Sequence, residues 1–340
     1  MPGTAAASRT VPDELIDTIA RMRNGVVVGH IRPDADCLGS MLGLARAWSD
    51  PQEPHLSACL PDDGSVSRRL QFLVEWAQVP VVGPQALSES DGLVVVDSAD
   101  RRRCLVGPEA PQDWNTCCPL ACIDHHASND GFGTANWVVP DAASTAELVL
   151  EVLLAADRPI DDIAASLLFA GIHADTRGFT SASVSPATLE AAATLLAAGA
   201  RHAEVAQRLY RSLQPNELEL LRVIYANTRL TADGRIAYSV ADHGEISRSG
   251  CGPADIDEQV SVPRSVGGAV LAFLLTEAEP GRVRISMRAE TGHAVLPLAR
   301  AMGGGGHQQA AGVVLDGDVQ SVLERLLRLA EKSLDCPPLD

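Results

Sequence analysis

The residues able to do chemistry in this chain stand at the ends of apolar runs. His30, Asp34 and Asp36 follow Val26-Val27-Val28, and Asp97 follows Leu93-Val94-Val95-Val96. Asp124, His125 and His126 come at the end of Leu120-Ala121-Cys122-Ile123, and Asp175 ends the segment Gly171-Ile172-His173-Ala174. His30, Asp34 and Asp36 offer one nitrogen and two hard oxygens within seven residues, a donor set suited to Mn²⁺ or a similar divalent ion. Singly, each group has an ordinary structural reading: a Pro-Asp turn, a capping Asp, an Asx turn at a helix end. Together, metal-capable groups at the tips of so many elements point to one shared site.

Such a site needs elements that bring the tips together. β-Branched apolar runs read as buried strands, and parallel strands of an open α/β sheet place their carboxyl ends on one edge. The runs before His30, Asp97 and His125 are therefore expected as parallel strands, with further strands at 55–60 and 79–82. Helices are expected at 13–23, at 66–76, around 143–156 and 160–173, and over Met41 to Trp48, which Gly39-Ser40 opens. Residues 186–229 read as almost wholly helical, punctuated by Gly199 and Pro215. From Arg235 the pattern turns to strands at 235–240, 268–276 and 282–288, then a short helix, the run Gly303 to Gly312, and a last strand and helix at about 318–333. The expected class is α/β: a parallel-sheet N-terminal domain at 13–185, a helical connector at 186–234 and a smaller α/β C-terminal domain at 235–335.

Composition narrows the function. With 340 residues, 46% hydrophobic, the chain can bury two cores, and no apolar run approaches the roughly 20 residues of a membrane span. Met1 to Thr10 lacks a charged-then-apolar signal pattern, so a cytoplasmic protein without membrane association is expected. The eight cysteines form no paired C-x-x-C arrangement, even near Cys117, Cys118 and Cys122, and read as reduced thiols. A net charge of −17 repels a long polyanion, and aromatics at 4% are too sparse for an extended base-stacking track. No long nucleic acid is expected as partner.

The pattern His30-x-x-x-Asp34-x-Asp36, Asp97, Asp124-His125-His126 and Asp175 resembles, in order and separation, the four motifs of the DHH phosphoesterase superfamily. The run Gly303-Gly304-Gly305-Gly306-His307-Gln308-Gln309-Ala310-Ala311-Gly312 resembles the glycine-rich signature of its DHH-associated C-terminal domain. The arrangement most resembles the oligoribonuclease (nanoRNase)/pAp phosphatase family, over about residues 13–333. That resemblance implies an enzyme using two Mn²⁺ (or Mg²⁺ or Co²⁺) to hydrolyse short oligoribonucleotides, dinucleotides such as pApA and pGpG, or pAp. It implies that His30, Asp34 and Asp97 hold one ion and that Asp36, Asp97, His125 and Asp175 hold the other, Asp97 bridging. Paired cations deprotonate a water and stabilise both oxygens of an in-line displacement. His126 then faces substrate phosphate, and Asp124 orients a neighbouring histidine.

In the second domain the resemblance gives Gly304, Gly305, Gly306 and His307 a binding role, since glycine lets backbone N–H groups approach a phosphate closely. Arg264 and Arg288, both expected on strands, match positions that contact the nucleotide or its terminal phosphate across an interdomain cleft. Arg101, Arg102 and Arg103 read equally as phosphate ligands or as a solvated charge run. Family members are often dimers, which makes a homodimer an expectation. The chain departs from the family at His173 and at Arg177-Gly178-Phe179, which puts the pocket beside Asp175 in question. Other readings stand beside the leading one. A RecJ-type single-strand exonuclease is opposed by the charge, the few aromatics and the lack of an added nucleic-acid-binding domain in the expected layout. An inorganic pyrophosphatase would lack the glycine-rich run. A cyclic-dinucleotide phosphodiesterase stays open. A catalytically dead nucleotide sensor would have lost a ligand, and none is missing.

Overall fold

The acid- and imidazole-tipped runs become neighbouring strands of one sheet. The structure is a computed structural model that describes residues 9–49, 56–60, 66–104, 119–211, 213–251, 256–306 and 308–334, and the chain divides into two units, Met1–Ser212 and Leu213–Asp340. The first unit contains β1 (Gly25–Val28), β2 (Leu56–Cys59), β3 (Val81–Val82), β4 (Gly92–Val96), β5 (Leu120–Asp124) and β6 (Ala135–Val138). They pair in the order β3-β2-β1-β4-β5-β6, every pair parallel. The order reverses between β1 and β4, and ligands of open α/β sheets bind outside the carboxyl ends at such a switch point. β1, β4 and β5 are buried along their whole length, as their unbroken apolar runs require. The edge strand β6 was not expected from the sequence: it is four residues long and only every second residue is fully buried.

Helices α1 (Asp13–Ala20), α2 (Ala35–Trp48), α3 (Gln71–Ala77), α4 (Ala86–Glu89), α5 (Thr145–Ala155), α6 (Asp162–Asp175), α7 (Pro186–Ala197) and α8 (His202–Tyr210) complete this unit. α2 begins at Ala35, well before the expected Met41, because Asp34 caps it: its Oδ1 accepts from the backbone N–H groups of Asp36 and Cys37, both at 3.0 Å. Asp36 is therefore a first-turn helical residue and not part of a loop. α2, α5 and α6 pack together through Leu38, Leu42, Val149, Leu153, Leu167 and Leu168, all buried. Each such side chain contributes about 1.5–3 kcal/mol by leaving water. Gly171 of α6 makes the approach close enough: a Cβ there would stand 2.6 Å from Ala146 Cβ and 2.7 Å from Asp36 Oδ1.

The helical stretch expected as a connector is divided. α7 and α8 belong to the first unit, and α9 (Pro215–Asn227) opens the second. There β7 (Arg229–Leu230), β8 (Ile236–Ala241), β9 (Leu271–Glu279), β10 (Arg282–Ala289), β11 (Gly305–Gly306) and β12 (Ala310–Asp316) form a mixed sheet ordered β11-β12-β10-β9-β8-β7. Only β8 and β9 pair in parallel. One face packs on the helix Val319–Leu334 through Phe273, Leu275, Ile285, Val322 and Leu326. The other packs on α9 and on α10 (His243–Ser249), a helix the sequence reading did not contain, through Leu220, Ile224, Ile246 and Leu274. Among the described residues no helix is long and apolar enough to cross a membrane.

A surface cap gives one test of this architecture. Asp161 caps α6 by accepting from Ala164 N–H at 2.8 Å and holds Arg46, whose Nη2 lies 2.7 Å from its Oδ2. Partial burial opposes its charge, but Arg46 and the helix N-terminus hold the carboxyl below its ordinary range. A depressed acid stabilises the fold above its unfolded pKa, and that contribution disappears as pH falls through the lowered folded value. Asp161→Ala should cost about 1 kcal/mol in urea unfolding at neutral pH, most of it from the cap because the pair is exposed. The gap from the parent protein should narrow below about pH 3. A gap unchanged down to that pH would refute the charge contribution.

Candidate metal centre

The strands deliver their tips to one place. β1 is followed by Gly29-His30, β4 by Asp97, and β5 ends on Asp124 ahead of His125-His126. Asp97 has φ 54°, in the left-handed region that Asp tolerates better than most residues, and its N–H donates to the Ile123 carbonyl at 3.1 Å. Its carboxylate lies between two imidazoles, with Oδ2 3.5 Å from His30 Nε2 and Oδ1 3.6 Å from His125 Nε2. His30 Nε2 is also 3.8 Å from Asp34 Oδ2, and His125 Nε2 is 3.5 Å from Asp175 Oδ2. Asp36, His125 and Asp175 form a compact donor group, as do Asp97, His125 and His126.

Backbone carbonyls set the tautomers. His30 Nδ1 donates to the Ile31 carbonyl at 2.8 Å and His125 Nδ1 to the Ala142 carbonyl at 3.3 Å, so Nε2 is in each case the ring nitrogen turned to the carboxylates, where a bound cation would meet it. The loop carrying His30 is pinned in turn by Ile31 N–H donating to the Arg103 carbonyl at 2.5 Å. His126 is held differently: its Nδ1 lies 2.6 Å from Asp124 Oδ1. Asp124 is fully buried, and its oxygens also accept from the His125 backbone N–H at 2.9 Å and from Asn129 Nδ2 at 2.8 Å. It therefore orients the two histidines from behind. Asp36, 1% exposed, accepts with Oδ2 from Thr145 N–H at 2.7 Å and with Oδ1 from Ala146 N–H at 2.9 Å, at the positive N-terminus of α5.

The donors fit a cation. Imidazole–carboxylate separations of 3.5–3.8 Å are too long for hydrogen bonds. Two atoms about 2.1 Å from a shared ion stand about 3.0–3.5 Å apart at right or tetrahedral angles, close to what is seen. Electrostatics agree. Burial, then the nearby Asp97 and Asp175 carboxylates, push the Asp36 carboxyl well up; burial, then Asp34 and Asp97, do the same to Asp175. Burial opposes a charge on His30, yet Asp34 and Asp97 raise it to about 11. Burial likewise opposes the Asp97 charge, but His30, His125 and His126 pull that carboxyl far down. Crowded negative charge of this kind is relieved by a positive ion at its centre.

Thus His30, Asp34, Asp36, Asp97, His125 and Asp175 come together, with His126 and Asp124 beside them. Thr145 and Asn129 were missed by sequence reasoning. Thr145 Oγ1 donates to Asp97 Oδ1 at 2.9 Å, and nothing in its sequence context beyond the preceding Ser144 cap signals that contact. His173 lies outside the donor groups and packs on the rings of Phe169, Phe179 and Tyr210. The following turn carries three successive left-handed residues, Arg177, Gly178 and Phe179. Arg101 is engaged by Phe132, through its carbonyl at 3.0 Å and its ring at 5.4 Å. The Arg102 side chain lies outside the described residues.

In the second unit, Gly305 and Gly306 pair with Gly312 and Ala311 as β11 on β12. A Cβ on Gly304 would stand 2.2 Å from the Gly312 carbonyl oxygen, so that position requires glycine. His307 lies outside the described residues. Arg288 lies on β10 as expected, but Arg264 ends the short helix Ser261–Arg264 and is not on a strand; its Nε donates to Glu290 Oε1 at 2.9 Å.

Fold and site together define a doubly wound α/β domain with an acidic, imidazole-rich centre at its switch point, followed by a mixed-sheet unit. The DHH family, N-terminal domain, matches residues 24–172, and the DHHA1 domain matches residues 233–335. The chain belongs to the DHH phosphoesterase family. It is 31% identical over 91% of its length to the bifunctional oligoribonuclease and PAP phosphatase NrnA of Thermus thermophilus, covering 89% of that protein. Its identity to the NrnA of Bacillus subtilis is 26%, over 88% of this chain and 91% of the relative. An exopolyphosphatase-related protein from Bacteroides fragilis shares the fold at a TM-score of 0.86 and 21% identity, over 96% of this chain and 98% of the other.

The Thr145 contact is testable. Thr145→Val keeps the shape but leaves an Asp97 oxygen without its buried donor, so Mn²⁺ affinity by electron paramagnetic resonance should fall about tenfold or more. Thr145→Ser should restore it. Equal affinity in the Val variant and the parent would show that Thr145 only fills space.

Proposed function

We propose that this chain uses two divalent ions, Mn²⁺ foremost, to hydrolyse short oligoribonucleotides, dinucleotides such as pApA and pGpG, and pAp to mononucleotides. The observation that carries the reading is the Asp97 carboxylate, whose two oxygens face two separate imidazole–carboxylate sets. On this reading His30, Asp34 and Asp97 hold one ion and Asp36, Asp97, His125 and Asp175 the other. When bound, such a pair supplies an activated water and stabilises charge on the attacking and leaving oxygens. His126, fixed through Nδ1 by Asp124, contributes its ring to the scissile phosphate. Backbone N–H groups of Gly305 and Gly306, with His307, Arg264 and Arg288, bind the rest of the substrate; the Gly304 N–H, expected to join them, instead donates to the Ala299 carbonyl at 2.7 Å. The names and cover of the relatives support this substrate class. A cytoplasmic location accompanies it.

Two experiments test the reading. Asp97→Asn suits the left-handed backbone at φ 54° but removes the charge. Mn²⁺-dependent turnover of pApA should drop well beyond the roughly hundredfold that loss of an outer hydrogen-bond partner costs. The unfolding midpoint should fall, because the imidazoles of His30, His125 and His126 favour the Asp97 charge, while circular dichroism should show the fold retained. Activity at parental level would rule out the bridging role.

The second is a length series. A −17 body penalises each phosphate held away from a local basic pocket, and 4% aromatics offer later bases little to stack on. Initial rates with Mn²⁺ should fall steeply between dinucleotides and strands of about twenty nucleotides, and the fall should ease as salt rises. A twenty-mer degraded as fast as a dimer at low salt would replace the proposal with a RecJ-type exonuclease. pAp and cyclic dinucleotides in the same panel rank the remaining substrates.

A further inference from the structure

Cys37 occupies a place in the centre that the hydrolytic reading does not use. It follows Asp36 in the first turn of α2 and is fully buried. Its Sγ, a ring nitrogen of His30 and a carboxylate oxygen of Asp97 all lie within 4.8 Å of one another. Cys59, Cys104, Cys122 and Cys251 are also buried, but among the described residues only Cys37 shares a group of three donors with His and Asp. The backbone holds the sulfur there. A Cβ on Gly29 would stand 2.1 Å from Cys37 Sγ, so the bare Cα of Gly29 makes the room beneath His30 that the sulfur fills. Met41 Sδ lies on its other side, at 3.8 Å.

We propose that Cys37, His30 and Asp97 form a soft-ion position that captures Zn²⁺ or Cd²⁺ through sulfur, in competition with the hard ion of the hydrolytic centre. Nitrogen, oxygen and sulfur donors suit Zn²⁺ and Cd²⁺, whereas Mn²⁺ favours oxygen and leaves the thiol alone. Asp34 Oδ2, 3.8 Å from His30 Nε2, is at hand as a fourth donor. When the metal–sulfur bond forms, the S–H bond breaks and its proton passes to solvent. Because His30 and Asp97 serve both ions, the two cannot bind together. The chain therefore carries a built-in sensitivity to soft metals that an alanine at position 37 would remove.

The test uses the full chain freed of metal and titrated with Cd²⁺, following the ultraviolet thiolate-to-cadmium charge-transfer absorbance. A band should grow to about one equivalent, persist in Cys122→Ala and vanish in Cys37→Ser, where Cd²⁺ affinity falls about tenfold or more. Excess Mn²⁺ should suppress it in the parent protein. A band undiminished in folded Cys37→Ser, or indifferent to Mn²⁺, overturns the proposal. X-ray absorption of the Zn²⁺-loaded parent needs no variant: sulfur at about 2.3 Å, lost on adding Mn²⁺, supports the site, and a shell of nitrogen and oxygen alone refutes it. Because these readouts are spectroscopic, either result leaves the hydrolase reading standing.

Discussion

One buried carboxylate has to face two ways, and the rest of the first unit is arranged around that demand. Asp97 is 2% exposed and sits in a backbone conformation that costs a non-glycine residue on the order of 1 kcal/mol. It persists because its N–H bonds the Ile123 carbonyl and its Oδ1 takes the Thr145 hydroxyl, so backbone and side chain are fixed from different directions. Extended backbone at Asp97 would continue β4; the left-handed turn instead aims the carboxylate between His30 and His125. The neighbouring placement of β1, β4 and β5 is what makes that aim productive.

Charge is the counterpart of this geometry. Asp34, Asp36, Asp97 and Asp175 crowd one pocket, and buried acids without partners cost several kcal/mol. The chain lowers the cost locally. The first amides of α5 grip Asp36, Asp34 spends one oxygen on capping α2, and carbonyls lock the tautomers of His30 and His125. What these bonds do not remove is the mutual repulsion that still pushes Asp36 and Asp175 up. Perturbed acids of this kind gather at functional sites, and a cation held among them would relieve the repulsion.

The second unit solves a different problem. Its glycines bring two backbone segments closer than any side chain permits, at Gly304 against the Gly312 carbonyl, and Gly306 with φ 140° turns where other residues do not. Arg264 is paired with Glu290, whose side chain is 48% exposed.

Much of this was written locally and could be read locally. Unbroken β-branched and apolar runs identified β1, β4 and β5 as buried strands, and the residues at their tips, His30, Asp97, Asp124, His125 and His126, are ones the fold gathers in one place. Pro215 marked the start of α9; the glycine run signalled close backbone approach to a phosphate, whereas the strand pairing of Gly305 and Gly306 with Gly312 and Ala311 appears only in the fold. The start of α2 was missed because the Asp34 cap overrides the apolar period that begins at Met41. β6 and α10 were missed because Asn136 interrupts the one, and Ile246 is the lone apolar residue of the other, so neither shows an apolar run or stripe. The rest lay beyond any local rule. Which oxygen of Asp97 faces which imidazole, why Thr145 touches it across 48 residues, and why Asn129 rather than a neighbour secures Asp124 depend on segments meeting in space. A residue's type and its immediate neighbours determine what it can donate or accept and how its backbone can turn, whereas its partner is chosen only when helices and strands close on one another. The sequence therefore named the residues gathered at this centre; their division between the two sides of Asp97, and the place of the Cys37 sulfur near His30, were decided by packing.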